Sequence, residues 1–229
     1  NATFAAGNPM YPVYAGEIQC RGLGMKVEAW DERGRPVVGQ QGELVCTRAF
    51  PSMPIYFWDD PEGKKYHGAY FDVYPNVWRH GDFIEINDRG GIIVYGRSDA
   101  TLNPGGVRIG TSEIYRQMEQ LDEIEDSVVV GQDWKNDVRV VLFVKMAKGY
   151  ELTEDVKKKI RNIIRINASP RHVPAKILSV PDIPYTLNMK KVELAVKKVI
   201  QCQPVLNKDA LRNPEALDYY TGFAELNEE

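Results

Sequence analysis

The stretch GRSDATLNPGGVRIGTSEI, from Gly96 to Ile114, gathers chemically useful residue types into a short span. Arg97 and Asp99 are near enough to form a local ion pair at a turn, an interaction worth little if it is exposed. Gly105, Gly106 and Gly110 either supply turns or let a ligand approach backbone that carries no Cβ. Arg108 offers a planar fork suited to phosphate. None of these features is specific by itself. Hydrolytic or metal chemistry has less behind it, because His67, His80 and His172 form no ligand or triad spacing with Ser, Cys or Asp. Cys20, Cys46 and Cys202 are odd in number and far apart. They argue against a disulfide framework and against zinc, and for a reducing, cytoplasmic setting.

The elements that position these residues change character near Ser98. Before it the grammar is strand, turn, strand. EIQCRGL, MKVEAWD and GELVCTR are short β-prone runs separated by Gly24, DERGRP and GQQG. In DFIEINDRGGIIVYG, Phe83, Ile84 and Ile86 precede the turn NDRGG, and Ile92, Ile93 and Val94 follow it, which predicts a hairpin. Residues 1–97 therefore read as a small antiparallel sheet or barrel, with an unassigned excursion rich in proline and aromatics from Pro51 to Trp78. Residues 98–229 read as a compact α+β domain. Thr111 is expected to cap a helix bearing Glu113 in its first turn and Ile114, Met118 and Leu121 on one face. SVVVG and VRVVLFVK predict paired strands. Thr153 caps a second helix, with Val156, Ile160, Ile163 and Ile164 as its apolar stripe, and Pro170 stops it. AKILSV is a further strand and KKVELAVKKVI a last helix. The 98–99 junction falls inside the opening stretch, where a hinge would sit.

With 29 basic and 32 acidic side chains the formal net charge is -3, so nothing draws the chain as a whole toward nucleic acid or a membrane. The densest basic run, Lys157 to Lys159 with Arg161 and Arg165, shares its segment with apolar residues at helical spacing and reads as a solvated helix face. No apolar run approaches the roughly 20 residues that span a bilayer. The opening NATFAAGNPMYP has neither an initiator methionine nor a charged-then-apolar leader, and reads as the interior of a longer protein.

The glycine-and-arginine stretch resembles the hinge motif of the adenylate-forming superfamily, which includes acyl-CoA synthetases, luciferases and peptide-synthetase adenylation domains. WRHGDF, from Trp78 to Phe83, is similar to that superfamily's (Y/W)-R-(T/S)-G-D signature, with His80 in place of a small hydroxyl residue. SPRHVPAKI and IPYTLNMKKVE resemble the closing segments, the second matching P-x-T-x-x-G-K with Met189 where glycine is usual. YPVYAGEIQCRGLGMKVEAWDERGRPV, TLNPGGVRIGTSEIY and the tail NPEALDYYTGF extend the resemblance over nearly the whole chain and narrow it to acyl-CoA synthetases of one short acid.

The resemblance implies a ligase that uses ATP and Mg2+ to convert a carboxylate to an acyl-adenylate and then passes the acyl group to coenzyme A. It implies that Asp82 accepts hydrogen bonds from the ribose hydroxyls of ATP, a role suited to an acceptor-only carboxylate. Arg97 would contact ribose, and Asp99 would be the hinge about which a small C-terminal domain rotates between two orientations. Lys190 would stabilise charge as the carboxylate and α-phosphate join, Gly105 and Gly106 would line the path of the CoA arm, and Arg108 would lie near the nucleotide phosphate. The superfamily's phosphate loop, adenine-stacking segment and acyl pocket have no counterpart in these residues, so the chain is expected to be a C-terminal part that is inactive by itself. Its partners would be the small acid, ATP, CoA and the rest of the same protein. Bland readings stand beside these: Asp82 as a turn cap, and Lys190 as one surface lysine among several. The rival functions are a synthetase for acetate or propionate, and a non-catalytic adenylate-binding or interaction module, for which Met189 speaks.

Overall fold

The computed structural model describes residues 3–205 and 207–228. The chain divides into two compact units, one running up to Asp99 and one starting at Ala100.

The first unit is built on an antiparallel sheet. Its strands are β3 (Val27–Trp30), β4 (Pro36–Val37), β5 (Gln41–Cys46), β6 (Trp78–Ile86) and β7 (Ile92–Arg97), in the order β4-β3-β5-β6-β7. It is an open sheet with edges at β4 and β7, not a barrel. A separate pair, β1 (Ala5–Ala6) with β2 (Cys20–Arg21), lies N-terminal to it. Alternation works as expected for a sheet with one buried face: Val27 and Ala29 are buried, with Glu28 and Trp30 between and after them only partly so. Leu44, Ile84, Ile86 and Ile92 complete that core.

The β6–β7 hairpin turns through Asn87 to Gly91, where Asn87 Oδ1 accepts from the N–H groups of Arg89 at 3.1 Å and Gly91 at 3.0 Å. The ladder is regular from Ile86↔Ile92 to Ile84↔Val94, then shifts, so that Phe83 pairs with Gly96 and Asp82 with Arg97. Tyr95 is the extra residue of this bulge. In a regular ladder Asp82 would have faced Gly96.

The excursion before β6 is not shapeless. It contains the short helix α1 (Lys64–Tyr70), whose first N–H groups are received by Asp60, from Lys65 at 3.0 Å and Tyr66 at 2.9 Å. No residue of α1 is buried, so apolar periodicity could not have announced it. Aromatic contact holds it instead: the Tyr70 ring stacks on Trp78 with centroids 3.6 Å apart.

The second unit has a three-stranded sheet between two helical layers. β8 (Ile124–Trp134) and β9 (Asp137–Met146) form a hairpin through Lys135 and Asn136, both left-handed at φ 47° and 64°, as a two-residue primed turn requires. β10 (Lys176–Ser179) pairs parallel to β9, giving the order β10-β9-β8. Both faces are covered, which explains the unbroken β-branched runs in the sequence. Val129, Leu142 and Val144 point to the face packed by α2 (Thr111–Met118) and α3 (Glu154–Asn167), where Ile114, Ile160 and Ile164 are sealed from solvent. Val128, Val130, Val141 and Phe143 point to the other face, covered by α4 (Glu193–Ile200) and by the tail through Leu217, Tyr220 and Leu226. The tail's 3-10 turn Pro214–Tyr220 thus contributes to the core, which the sequence pattern had not indicated.

Thr153 caps α3, its Oγ1 accepting from Val156 N–H at 3.3 Å. Thr111 does not cap α2. That position belongs to Gly110, whose N–H donates to Glu113 Oε1 at 2.9 Å while its carbonyl accepts from Glu113 N–H at 3.1 Å. Thr111 is the first helical residue and is buried, so it stands inside the helix and not at the capping position.

Candidate functional site

Asp82, Arg97 and Asp99 come together in the first unit. The bulged hairpin sets Asp82 opposite Arg97, with Arg97 Nη1 3.7 Å from Asp82 Oδ1. The same guanidinium donates to Asp99 through Nε at 3.3 Å and Nη2 at 3.2 Å, and to the His80 carbonyl at 3.3 Å. It lies directly over Gly81, where a Cβ would stand 2.7 Å from Nη2. Gly81 also holds φ 83°, so glycine is needed there twice over. Arg97 remains about half exposed and Asp82 about a quarter, so guanidinium and carboxylate are both accessible from solvent.

His80 shares this edge. Its Nδ1 faces the Trp78 indole N–H at 3.3 Å, and because an indole N–H only donates, Nδ1 must accept. The ring proton then sits on Nε2, which is 3.4 Å from Asp82 Oδ2 and supports that carboxylate.

Beneath the cluster lies Glu43 on β5, a residue read from the sequence only as part of a strand. Its Oε1 accepts from Gly81 N–H at 3.1 Å and Ser98 Oγ at 3.0 Å and is 3.3 Å from Arg79 Nε. Ser98 N–H in turn donates to the Gly81 carbonyl at 3.0 Å. One buried carboxylate therefore ties the Arg79–Asp82 stretch of β6 to the residue immediately before Asp99. Burial pushes the Glu43 carboxyl above its ordinary value, against the pull of Arg79. The available signal was a charge inside the apolar run GELVC on a strand paired on both sides, where a carboxylate must find partners.

The remaining candidates lie in the second unit. Gly105 and Gly106 are left-handed at φ 57° and 77°, and Gly105 N–H donates to both oxygens of Asp137, at 3.0 and 3.1 Å. Arg171 reaches to 3.1 Å from where a Gly105 Cβ would be, and Arg108 is exposed on the same loop.

Lys190 and Lys191 have opposite surroundings. Lys191 Nζ donates to Asp126 Oδ1 at 2.7 Å and to the Ser127 carbonyl at 2.6 Å, and sits 4.3 Å from the Tyr115 ring centroid. Lys190 is exposed, and no carboxylate among the described residues is within ion-pair reach of its ammonium. Its backbone is fixed all the same. Thr186 N–H donates to the Lys190 carbonyl at 2.8 Å, and Lys190 N–H donates to Thr186 Oγ1 at 3.1 Å. Met189 closes this turn at φ 59°, a conformation for which glycine would carry no steric penalty.

His172 has two contacts that the sequence spacing of the histidines did not reveal. His172 Nδ1 is 2.8 Å from Ser169 Oγ and His172 Nε2 is 3.3 Å from Glu113 Oε2. Both partners serve the start of a helical turn: Ser169 Oγ accepts from Arg171 N–H at 3.2 Å, and Glu113 Oε1, in the first turn of α2, accepts from the N–H of its cap Gly110. His172 joins the caps of two helices, a link that sequence spacing hid because Glu113 is 59 residues away. No group of three or more His, Cys, Asp or Glu among the described residues is placed to hold a metal ion. No helix among them is long and apolar enough to cross a membrane.

Comparison with known proteins bears on this arrangement. No family model matches the chain. An acetoacetyl-coenzyme A synthetase of Rhizobium meliloti is 61% identical over 223 residues, covering 97% of this chain and 34% of the relative. The solved acetoacetyl-CoA synthetase of Streptomyces lividans superposes with a TM-score of 0.91 at 42% identity, over 98% of this chain and 34% of that one. Over nearly its whole length the chain is similar to proteins named acetoacetyl-CoA synthetase. It spans about a third of the length of the relatives it matches. A benzoate CoA ligase from Burkholderia xenovorans, 24% identical with a TM-score of 0.67 over 81% of this chain and 36% of that one, shares the fold. The α+β architecture is thus that of the corresponding part of these solved synthetase and ligase structures.

Proposed function

We propose that this chain is the C-terminal part of an acetoacetate–CoA ligase, which forms acetoacetyl-adenylate from acetoacetate and ATP and then transfers the acyl group to CoA. The observation that carries the reading is the identity, across 97% of the chain, to a protein named acetoacetyl-coenzyme A synthetase. The geometry supports it at each point. Asp82 presents an acceptor-only carboxylate, held by His80 and Arg97, to a ribose cis-diol. Arg97 would add its donors to the same sugar and, by its bond to Asp99, favour one orientation of the residues that follow. Ser98 is tethered to the first unit through Glu43 and Gly81, so Asp99 is the first residue whose backbone is free to turn.

Lys190 would supply a mobile ammonium with three donors to the carboxylate and α-phosphate, lowering the barrier as negative charge shifts to the bridging oxygen. Lys191, committed to Asp126, would not leave its seat for that task. Gly105 and Gly106, without side chains, would leave room for the CoA arm, and Arg108 would lie near a phosphate. Mg2+ would enter with the nucleotide, screening its phosphates; few of its ligands need come from protein. The setting we propose is cytoplasmic, and the domain limits relevant to function are 1–97 and 98–229.

The test is pyrophosphate release by the full-length protein with ATP and Mg2+ across acetoacetate, acetate and propionate. Preference for acetoacetate is expected. Preference for another acid would discard the substrate but keep the mechanism, and no release with any acid would replace the enzyme by a binding module. Lys190→Ala should abolish adenylate formation while sparing thioester formation from pre-made acyl-adenylate; equal loss of both removes its role.

A further inference from the structure

The turn that carries Lys190 is built by the tail of the chain as much as by its own residues. Ahead of the turn, Tyr185 N–H donates to Asn213 Oδ1 at 2.9 Å and Tyr185 O accepts from Arg212 N–H at 2.8 Å. One residue on, Thr186 bridges to Leu211, and Leu187 N–H donates to the Ala210 carbonyl at 3.1 Å. The Asn213 amide completes the seam, its Nδ2 donating to Asp182 Oδ2 at 2.7 Å and to the Ile183 carbonyl at 2.9 Å. Asp182 is itself held on its other oxygen by Lys145 Nζ at 3.1 Å. Just beyond Asn213 the tail is pinned, because Ala216, Leu217 and Tyr220 are buried and the Tyr220 hydroxyl donates to the Asp182 carbonyl at 3.1 Å.

Only an amide fits this seat. Its oxygen must accept from a backbone N–H while its nitrogen donates to both a carboxylate and a carbonyl, which no other side chain of this size does. Each bond falls between residues 182 and 185, and Thr186, next in line, fixes both the N–H and the carbonyl of Lys190. We infer that Asn213 is a positioning residue for Lys190: it locks the tail onto the entry to the lysine turn, so that the backbone from which the ammonium reaches is held in one place. The inference rests on the role proposed for Lys190. It makes the tail, remote in sequence, part of the adenylation machinery, with no requirement for it in the thioester step.

The experiment uses the full-length protein and the Asn213→Asp and Asn213→Ala variants. Asp is isosteric but turns the nitrogen's two donors into an acceptor facing Asp182 and the Ile183 carbonyl. Acetoacetate-dependent ATP–pyrophosphate exchange should fall in kcat on the order of tenfold to a hundredfold, as expected when a reacting group is displaced by about 1 Å. KM for ATP and thioester formation from pre-made acetoacetyl-adenylate should stay within about twofold, since neither calls on the aim of Lys190. Amide hydrogen exchange at Tyr185 and Leu187 should quicken, with the β8–β9 amides unchanged. The Asp182→Asn/Asn213→Asp double variant, which restores a donor opposite an acceptor, should recover part of the exchange rate. Lys190→Ala is run alongside. If it fails to separate the two half-reactions, the reading of Lys190 falls and this inference with it. If it separates them while the Asn213 variants slow both equally or neither, only the positioning role is overturned. Should Asn213→Asp fail to fold, the Asn213→Ala protein decides by the same split.

Discussion

Met189 offers a sharp test of how the lysine turn is built. It stands at φ 59°, where the Cβ of an L-residue crowds the following carbonyl at a cost of about 1–2 kcal/mol, and where glycine is unstrained. Glycine returns roughly 0.4–1 kcal/mol of that gain by widening the unfolded ensemble. The methionine side chain offsets little, being about half exposed with its sulfur near Arg212 Nη1 at 2.7 Å as its polar contact. Met189→Gly should therefore stabilise the second unit by about 0.5–1 kcal/mol, or ~2–4 °C for a unit of this size. Met189→Ala keeps the backbone conformation and loses only the thioether contact, so it should fall within about 0.5 kcal/mol of the parent. Asn136→Gly, at φ 64° in the β8–β9 turn, is the comparison: asparagine tolerates this region, and the gain there should be smaller. Thermal and urea unfolding of all three, with m-values checked for constancy, measure the differences. A Met189→Gly protein less stable than Met189→Ala would refute the argument, because the turn would then owe its shape to the side chain and not bear a backbone cost.

Other outcomes follow from the first unit and from the helix caps. Glu43→Ala should cost roughly 3 kcal/mol in urea unfolding, because it strands the Gly81 N–H and the Arg79 charge; Glu43→Gln, which keeps an acceptor, should cost about 1 kcal/mol. Gly81→Ala should push the Arg97 guanidinium aside, with a stability loss of about 1–2 kcal/mol from the left-handed backbone, and, by the ribose role proposed for Arg97, raise KM for ATP in the full-length protein. For Glu113, burial raises the carboxyl, but the bonds from His172 and Gly110 outweigh it and leave the folded value below the ordinary one. A depressed folded value stabilises above the unfolded value of about 4.3 and is lost as pH falls through the folded value. Glu113→Gln should accordingly be less stable than the parent at pH 7 and converge with it in acid; a difference that does not change with pH would exclude charge as the agent.

The parts of the fold legible in the sequence are those held by repetition. The β8 and β9 runs and the α3 stripe announce themselves through period and β-branching, and Thr153 announces its helix through capping chemistry. The Asn87–Gly91 turn is equally local. What escaped is held by single contacts between distant residues. α1 rests on aromatic stacking with Trp78 and carries no stripe. Gly110 displaced Thr111 as cap because a glutamate reached back to its N–H, an option that a hydroxyl at the next position obscured. In the candidate site the motif pointed to Asp82, Arg97 and Asp99, whereas for Glu43 the sequence offered only a charge in an apolar strand and for Asn213 nothing, since both are defined by partners tens of residues away.

The bulge at Tyr95 has a consequence for how this site can vary over evolutionary time. Asp82 meets Arg97 only because the ladder carries one residue more on β7 than on β6. Strand offset is discrete, so substitutions at exposed ladder positions leave the pair where it is, whereas a net insertion or deletion between Phe83 and Gly96 that alters the offset moves one partner by a residue, about 3.4 Å. Length changes confined to the Asn87–Gly91 turn leave the ladder count untouched. Lineages are therefore free to reshape that turn, while the stretch from Val94 to Arg97 tolerates changes of residue far better than changes of length.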